Sequence, residues 1–352
     1  MSVLTAVDLF AGAGGLTLGL QQAGFTVLGA IEVDPLACAT YADNHDGVRL
    51  WQDDVRHVDG EQLMRGIGLR AGELDLLAGC PPCQGFSTLR TLNGRQAPAE
   101  PRNDLVREYG RLVAQLRPRA VLMENVPGLA KDERMDELVE LLEGLGYPAR
   151  SGTRIMNAAD YGVPQSRRRL VLTAARHAVL EPAVRTPARP TVRQAISRLP
   201  PAGSSGDPLH DLPERRSARV ADLIRQVPVD GGSRSALREQ LSCHARVDGF
   251  KDVYGRMSWD RPAPTITGGC HNPSKGRFLH PDQHRAVTLR EAALLQGFPP
   301  RYAFRLGRGK LAAALMIGNA IPPAFVAAHA LPIAAALRSS HAAGTPTPSL
   351  DG

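Results

Sequence analysis

The chain has 352 residues, of which 43% are hydrophobic and 22% are charged, so a wholly disordered chain is excluded and a sizeable core is expected. Residues 1–150 carry 14 basic and 21 acidic side chains, whereas residues 151–352 carry 28 and 14, which predicts a polyanionic partner for the second part. Five cysteines argue against a disulfide scaffold. No run of 18 apolar residues and no basic leader are present, so we expect a cytoplasmic protein with no membrane partner.

Short apolar segments alternate with helical patterns over the first half of the chain. Strands are predicted over residues 4–10, 27–33, 74–79, 120–126 and 168–175. Helical patterns begin at residue 16 and cover residues 35–44, 105–116 and 135–145. Strands that alternate with helices in this way favour an α/β fold with a mostly parallel sheet.

The composition changes after Ala175. A stretch rich in Pro, Arg and Ser is followed by a polar, basic and Gly-rich one, and helical patterns return over residues 288–296 and 310–338. We therefore predict a first α/β domain, a smaller irregular basic domain, a C-terminal segment that returns to the first domain, and a disordered tail. Their predicted bounds are 1–180, 181–300, 301–338 and 339–352.

Glycines lie between the first predicted strand and the first predicted helix, in the sequence AGAGG of residues 11–15. Glycines at this place let the backbone approach a ligand closely. Glu32 follows Gly12 by 20 positions at the end of the next strand, where a carboxylate accepts hydrogen bonds from ribose hydroxyls. The pattern indicates a nucleoside-containing cofactor, with a tight structural turn as the alternative.

Two cysteines directly follow the strand over residues 74–79, in the sequence GCPPCQGFS. A cysteine beyond the carboxyl end of a strand is a candidate nucleophile. Cys80 and Cys83 also have the spacing of a redox pair or of half a zinc site. No second ligand pair completes a zinc site, and the two intervening residues are prolines, which argues against a redox pair. We interpret Cys80 as a buried, inert thiol.

Polar side chains also occur at two further strand ends. The sequence ENV of residues 124–126 ends a strand, so its carboxylate is expected to point into the same crevice, with a surface turn as the alternative. In the sequence QSRRR, strand alternation places Gln165, Arg167 and Arg169 on one face and Arg168 on the other. A solvated basic patch is the alternative for this segment.

These motifs, in this order, resemble those of bacterial DNA cytosine-5 methyltransferases. The matching segments between residues 4 and 325 are DLFAGAGGLTLGL, GCPPCQGFS, ENV, QSRRR, TLREAALLQGFP and IGNAIPP. Two departures are Cys80, where the family usually has glycine, and Leu294, where an arginine is common. The resemblance implies a Rossmann-like methyltransferase fold that depends on S-adenosylmethionine, with a smaller, irregular target-recognition domain.

The resemblance further implies transfer of a methyl group to carbon 5 of a flipped-out cytosine in a specific double-stranded DNA sequence. Cys83 is the implied nucleophile, which forms a covalent adduct with the base. Arg167 is implied to favour the thiolate, and Glu124 to hold a proton at ring nitrogen 3. Gln165 and Arg169 complete the implied catalytic set, and no metal is expected.

The same resemblance assigns the binding residues. Those implied for S-adenosylmethionine are Phe10, Gly12, Gly14, Gly15, Glu32, Val33, Asp54, Val55, Pro82 and Asn319. Those expected at DNA are Gln84, Ser87, Arg90, Arg95, Arg256, Thr265 and Thr267. The implied role is that of a restriction–modification enzyme or of an orphan DNA methylase. We expect a monomer near the bacterial nucleoid, with double-stranded DNA as a partner and a cognate restriction endonuclease as a further candidate partner.

Three alternative functions fit the sequence less well. A transfer-RNA cytosine methylase of the same type usually carries Cys-Phe-Thr in its recognition region, and the sequence has none. A catalytically silent DNA-binding relative conflicts with the presence of Cys83, Glu124 and Arg167. A nicotinamide oxidoreductase accounts for the glycines but explains neither PPCQ nor ENV.

Overall fold

Seven strands form one mostly parallel sheet in a computed structural model that describes residues 3–82, 105–176, 179–236 and 252–343. The strands are β1 (Leu4–Leu9), β2 (Phe25–Glu32), β3 (Arg49–Gln52), β4 (Leu76–Gly79), β5 (Ala120–Asn125), β6 (Thr153–Asn157) and β7 (Arg168–Ala175). Their order is β3-β2-β1-β4-β5-β7-β6, and β7 runs antiparallel to the other six strands. The predicted α/β fold with a mostly parallel sheet is confirmed.

Helices cover both faces of the sheet. Within the described residues they are α1 (Gly15–Gln22), α2 (Pro35–Ala42), α3 (Gly60–Gly66), α4 (Leu105–Leu116), α5 (Glu133–Gly144), α6 (Ala149–Gly152), α7 (Val192–Ile196), α8 (Ala218–Gln226), α9 (Leu289–Leu295), α10 (Gly309–Asn319) and α11 (Pro323–Ala343). Apolar side chains of α3, α4 and α5 share one core with the sheet. Those of α1 and α11 share the core on its other face.

The central strands β1, β4 and β5 are buried on both faces, so they read as continuous apolar runs rather than as an alternating pattern. In β1, Leu4 and Ala6 join the core under α1 and α11, whereas Val7 and Leu9 join the core under α3, α4 and α5. Asp8 is a fully buried polar residue in this otherwise apolar strand. A charged residue that is kept in the centre of a sheet indicates a role other than packing.

A third core lies in the C-terminal part of the chain, where few residues belong to regular elements. It is formed by α7, α9, α10 and the irregular segments between them, and it includes Ala13 of the glycine loop. The aromatic rings of Phe298, Tyr302 and Phe304 pack against one another within it. This irregular part therefore packs directly against the loop that follows β1.

The helical pattern predicted over residues 310–338 is two helices in the structure. The break lies at residues 320–322, before Pro323, because consecutive prolines lack the backbone N–H groups that a continuous helix needs. By length and composition the stretch Gly309–Ser340 is apolar enough to cross a membrane, and half of its apolar 18-residue window is buried. In the structure Phe325, Val326 and Ile333 of α11 pack against the sheet. A core helix of a globular protein can have the same length and apolar composition as a membrane span.

Candidate active site

Four neighbouring strands place titratable side chains in a row at one edge of the sheet. Asp8 lies in β1, Cys80 directly follows β4, Glu124 lies in β5, and Arg169 lies at the start of β7. The strand registers put all four side chains on the face that carries α1 and α11. Because β7 is antiparallel, its first residues lie at the edge where the parallel strands end.

Glu124 is buried, with 7% of its surface exposed, so the surface-turn alternative does not hold. Its Oε1 atom lies 2.8 Å from Nε of Arg169 in an ion pair. The donor is not aligned for a hydrogen bond, and Oε1 has no hydrogen-bond partner in the described part of the chain. This carboxylate oxygen is therefore held by charge and remains available as an acceptor or as a proton carrier.

Arg167 is a buried cation that joins two distant segments. Its Nη1 atom donates to the carbonyl oxygen of Ile266 at 2.9 Å, and its Nη2 atom donates to that of Gly318 at 3.2 Å. Burial, together with the neighbouring charge of Arg169, lowers the pKa of Arg167 to about 9, so the group remains a cation at neutral pH. Residues 165–169 alternate between buried and exposed as the strand pattern predicts.

Gln165 is fully buried, and its amide atoms are all engaged. Its Nε2 atom donates to the side chain of Gln296 at 2.6 Å and to the carbonyl oxygen of Leu295, and its Oε1 atom accepts from the backbone N–H of Ile266 at 2.8 Å. Gln165 thus fastens the start of β7 to α9 and to the segment before Thr267.

Asn125 contacts the loop that leads to the predicted nucleophile. Its Nδ2 atom donates to the carbonyl oxygen of Pro81 at 2.9 Å, and its Oδ1 atom accepts from the backbone N–H of Val126. Pro82 is exposed at the end of the described loop. Five predicted site residues lie outside the described residues: Cys83, Gln84, Ser87, Arg90 and Arg95.

The glycine loop after β1 is tied to the end of β2 by one carboxylate. Oε2 of Glu32 accepts from the backbone N–H of Gly12 at 2.8 Å, while Oε1 accepts from the backbone N–H groups of Val33 and Asp34 at 2.9 and 2.8 Å. Gly12 has φ 54° and Phe10 has φ 62°, an unusual backbone conformation for a phenylalanine. Strain of this kind in a loop beside a carboxylate is typical of a ligand site.

A buried histidine and tyrosine support the same loop from inside the protein. The Tyr302 hydroxyl donates to the carbonyl oxygen of Ala13 at 2.5 Å, so Nε2 of His45 must be the donor in the 2.8 Å contact between His45 and Tyr302. Burial lowers the pKa of His45 to about 4, so the ring is neutral. A Cβ atom on Gly14 would lie 2.2 Å from Nε2 of His45, so only glycine fits above this pair.

Asp8 lies at the centre of a buried polar group. Its Oδ2 atom accepts from the backbone N–H and the hydroxyl of Thr17 at 3.0 and 2.7 Å, and the Thr17 hydroxyl also contacts that of Tyr41 at 2.8 Å. Its Oδ1 atom has no partner among the described residues. Burial, with a smaller contribution from the charge of Glu32, raises the pKa of Asp8 to about 7. An unpartnered buried carboxylate oxygen next to a glycine loop indicates a polar or cationic ligand.

The remaining predicted binding residues take several positions. Val55 is buried, and Asp54 pairs with Arg56 at 2.5 Å, an interaction that lowers the pKa of Asp54 to about 2. Asn319 is exposed at the end of α10. Gly15 is enclosed, because a Cβ atom there would lie 2.5 Å from the carbonyl oxygen of Ile321.

The structure does not fit the predicted DNA contact of Arg256. This side chain has no exposed surface, and its guanidinium donates to the carbonyl oxygens of Val227, Ile224 and His280 at 2.9, 2.9 and 3.0 Å. It therefore organises the interior of the basic region, which sequence alone cannot distinguish from a phosphate contact.

The two predicted DNA-contacting threonines lie beside the start of β7. Thr265 is half-buried and its hydroxyl donates to the carbonyl oxygen of Ser166 at 2.8 Å. Thr267 is also half-buried. Both side chains keep enough exposure to meet a ligand in the crevice.

Within the part of the chain that the structure describes, no group of three or more His, Cys, Asp and Glu side chains could hold a metal ion.

The family model for C-5 cytosine-specific DNA methylases matches residues 4–334. The chain belongs to this family. A type II methylase of Herpetosiphon aurantiacus, M.HgiDII, is 37% identical over 90% of this chain and 91% of its own length. The type II methyltransferase M1.HphI of Haemophilus parahaemolyticus is 35% identical over 91% of this chain and 84% of its own length.

Solved structures agree with the fold of this cytosine-5 methylase. An E. coli prophage protein described as a putative DNA modification methyltransferase has a TM-score of 0.73 at 24% identity, covering 95% of this chain and 99% of its own. The S. pombe Dnmt2 methyltransferase has a TM-score of 0.60 at 19% identity, over 94% and 98%. The chain is thus a DNA (cytosine-5-)-methyltransferase with a Rossmann-like fold, and its family uses S-adenosylmethionine.

The side chains around the glycine loop of this methylase fit S-adenosylmethionine. Val33 is 59% exposed at the end of β2, and Phe10 is half-buried beside it along the sheet edge, which offers apolar surface to a purine ring. Glu32 is half-buried and has lone pairs left for ribose hydroxyls. Asp8 lies in the strand that leads into the glycine loop, and its Oδ1 atom has no hydrogen-bond partner among the described residues.

The sequence analysis did not identify several residues of the site. His45 and Tyr302 lie far apart in the chain and meet only in the fold. Asn125 belongs to the ENV motif, and its position next to a carboxylate at a strand end could have identified it. Thr17 lies in the first turn of α1, where its hydroxyl is indistinguishable by sequence from that of an ordinary helical threonine.

Proposed function

We propose that this methyltransferase modifies carbon 5 of a cytosine that is flipped out of double-stranded DNA, through a covalent adduct with Cys83. The observation that supports the proposal best is the buried Glu124 with its free Oε1 atom, which shares an edge of the sheet with Arg167, Arg169 and the loop leading to Cys83. This edge also carries the glycine loop, so the donor and the base can meet there.

The chemistry starts from the low reactivity of carbon 5 of cytosine. Addition of the Cys83 thiolate at carbon 6 forms a C–S bond and moves electron density to carbon 5. S-adenosylmethionine, when bound, supplies an electrophilic methyl group for that carbon. The carbon-5 proton then leaves to a base, the C–S bond breaks, and the Cys83 thiolate is released. Transfer would break the methyl–sulfur bond of the donor, so 5-methylcytosine, S-adenosylhomocysteine and the regenerated enzyme would remain, with the carbon-5 proton on the base.

Glu124 offsets the charge that develops on the ring when sulfur adds. Its carboxyl group would hold a proton at ring nitrogen 3 and accept a hydrogen bond from the exocyclic amine. Positioned proton transfer of this kind contributes about 10²- to 10⁴-fold in rate. Arg169 keeps the carboxylate in place at 2.8 Å, and Arg167 places a buried cation at the same edge.

The DNA is proposed to lie across the basic second part of the chain. Residues 151–352 carry 28 basic and 14 acidic side chains, so phosphate contacts there would make affinity fall steeply with salt. Extrusion of the cytosine costs about a few kcal/mol, which contacts to DNA must offset. Thr265 and Thr267 keep their assignment as DNA contacts, whereas Gln84, Ser87, Arg90 and Arg95 lie outside the described residues.

We further propose that the protein works as a monomer in the bacterial cytoplasm, near the nucleoid, as the modification enzyme of a restriction–modification system. Relatives named as type II methyltransferases support this role. A cognate endonuclease of the same DNA sequence specificity is the partner that this role requires.

Replacement of the proposed nucleophile tests the mechanism. Cys83→Ser should abolish methyl transfer while duplex binding remains, and Cys270→Ser, which alters a buried cysteine of the third core, should stay active. Bisulfite sequencing of DNA from cells that express each variant measures the methylation and identifies the target sequence.

A second experiment tests the adduct itself. Wild-type enzyme with S-adenosylmethionine should be trapped covalently on target DNA that contains 5-fluorocytosine, because the carbon-5 proton is replaced. Full activity of Cys83→Ser, or no trapped species on a verified target, would refute the proposal.

A further inference from the structure

The end of α10 carries backbone carbonyl groups that no residue of the helix itself can satisfy. Two buried side chains from other elements bind such groups at and just beyond the helix end. Gln296, which directly follows α9, donates from Nε2 to the carbonyl oxygens of Ile317 and Ala320 at 2.5 and 3.1 Å. Arg167 donates to the carbonyl oxygen of Gly318. An amide and a guanidinium therefore close this helix end together.

Gln296 forms a pair with the side-chain amide of Gln165, and neither side chain has exposed surface. Oε1 of Gln296 accepts from Nε2 of Gln165 at 2.6 Å. The other N–H of Gln165 goes to the carbonyl oxygen of Leu295 at 3.2 Å, and Oε1 of Gln165 accepts from the backbone N–H of Ile266 at 2.8 Å. Turning either amide over would bring oxygen against oxygen, so the orientation of the pair is fixed.

The two chain segments that this amide pair joins also bind Arg167. Ile266 gives its backbone N–H to Gln165 and its carbonyl oxygen to Nη1 of Arg167 at 2.9 Å. The end of α10 gives carbonyl groups to Gln296 and, from Gly318, to Nη2 of Arg167 at 3.2 Å. Both carbonyl groups that orient the guanidinium therefore lie on backbone that the amide pair holds.

One nitrogen of the Arg167 guanidinium is left without an acceptor among the described residues. The side chain is 3% exposed, and this atom, Nε, is buried. Buried donors without a partner are rare, and beside a reaction site they indicate a group that is kept for a ligand or a reacting atom. The partial negative charge at the carboxyl end of α10 stabilises the cation next to it. The guanidinium is thus fixed through its two Nη atoms, while Nε has no protein partner there.

We propose that Gln296 is a positioning residue that holds the guanidinium of Arg167 in its working orientation at the active-site edge of the sheet. It acts through the two backbone carbonyl groups that bind this guanidinium, and it touches neither the base nor the methyl donor. Gln165, which the sequence resemblance places in the catalytic set, is a link in the same arrangement. This inference rests on the proposed function, in which Arg167 favours the thiolate form of Cys83.

The test measures the reactivity of Cys83 in the full-length enzyme. Iodoacetamide alkylates thiolates, so the alkylation rate as a function of pH reports the thiolate fraction. Fragment masses of the tryptic peptide over residues 71–90 separate Cys83 from Cys80. Gln296→Met keeps a side chain of similar size but none of its amide hydrogen bonds. The midpoint of the Cys83 profile should rise by about 0.5–1 pH unit in this variant, and alkylation at neutral pH should slow about 3- to 10-fold.

Arg167→Met in the same series shows whether Gln296 acts through the guanidinium. Removal of the cation should raise the midpoint by about 1 pH unit or more. In the double variant of Arg167→Met and Gln296→Met, the midpoint should equal that of Arg167→Met alone, because no guanidinium remains to be oriented. An effect of Gln296 on packing alone would add the same shift in both backgrounds.

Methyl transfer and stability complete the comparison. Gln296→Met should slow single-turnover methyl transfer about 3- to 10-fold at saturating DNA and S-adenosylmethionine. Tyr147→Phe, which removes a buried hydrogen bond to the carbonyl oxygen of Pro118, should lose stability in thermal unfolding but keep the wild-type Cys83 profile and transfer rate. Gln165→Met cuts the amide pair at its other half, so it should give the same shift and replaces Gln296→Met if that variant does not fold.

The outcomes are distinct. An unmoved profile in Gln296→Met, or equal shifts from Gln296→Met with and without Arg167, would overturn the inference. An unmoved profile in Arg167→Met would instead refute the proposed role of Arg167 at the thiolate. If Arg167→Met moves the profile and Gln296→Met does not, only the inference about Gln296 fails.

Discussion

Replacement of Tyr302 by phenylalanine should weaken the binding of S-adenosylmethionine without removing any group that touches it. The Tyr302 hydroxyl donates to the carbonyl oxygen of Ala13 and accepts from Nε2 of His45. Both partners are buried, so the Tyr302→Phe variant would leave one acceptor and one donor unpaired under the glycine loop.

The size of the effect follows from the cost of unpaired buried polar groups. Each such group costs about 1–3 kcal/mol, and relaxation of the loop recovers part of that amount. We expect the free energy of unfolding to fall by about 2 kcal/mol. We expect the dissociation constant of S-adenosylmethionine to rise about 3- to 10-fold, because a factor of ten corresponds to about 1.4 kcal/mol and only part of the cost falls on the bound loop.

Isothermal titration calorimetry and urea unfolding measure the two quantities on the same preparations. Tyr147→Phe is the matched control. The buried Tyr147 hydroxyl donates to the carbonyl oxygen of Pro118. Pro118 precedes the amino end of β5, so this bond lies at the opposite edge of the sheet. That variant should lose stability but bind S-adenosylmethionine as the wild type does. Unchanged affinity in Tyr302→Phe, with a stability loss like that of Tyr147→Phe, would refute the claim that Tyr302 shapes the ligand loop.

Three further predictions concern the same edge of the sheet. Glu32→Ala should weaken S-adenosylmethionine binding at least 10-fold in calorimetry, because it removes the acceptor of three backbone N–H groups. Glu61 is exposed, and Glu61→Ala should bind S-adenosylmethionine as the wild type does. Equal affinities of the two variants would contradict the ribose assignment of Glu32. Gly318→Ala should destabilise the protein by about 1–3 kcal/mol in urea unfolding, because the new Cβ atom would lie 2.1 Å from the backbone carbonyl carbon of Thr267. Gly144→Ala, whose Cβ atom would have no atom within 4 Å, should stabilise the protein slightly. The opposite order of stabilities would be inconsistent with this packing. The pKa of Asp8 is raised to about 7 in the folded protein, so the folded protein keeps a proton that the unfolded chain releases near pH 4. The free energy of unfolding should therefore fall as the pH rises from about 4 to 7. Unfolding curves of the unliganded Asp8→Asn variant should lack this slope.

Sequence was a good guide to the five inner strands, because each of them is short and largely apolar. It missed the two edge strands, β3 and β6, whose residues are largely polar and partly exposed. The segment over residues 74–79 reads as a buried strand, and the structure has β4 over Leu76–Gly79. Sequence could not show that β7 runs antiparallel, because a strand pattern carries no direction. It also missed α7 and α8, which are short helices in a region whose composition favours irregular structure.

The candidate site was predictable where a side chain follows a strand end. Glu32 and Glu124 were found in this way, and the structure places both at the carboxyl edge of the sheet. Pairs that depend on distant segments were not predictable, such as His45 with Tyr302. Arg256 shows the converse limit, since an arginine that binds carbonyl groups inside a domain and one that binds phosphate have the same sequence signature.

The reversed direction of β7 makes the active site sensitive to the length of the turn before it. Residues 158–167 connect β6 to β7, and they deliver Arg167 and Arg169 to the crevice from the start of a strand rather than from its end. Deletion of a single residue in this connection would slide β7 by one position against β5. Arg168 would then face the proposed site at the sheet edge, and the side chains of Arg167 and Arg169 would turn to the opposite face of the sheet.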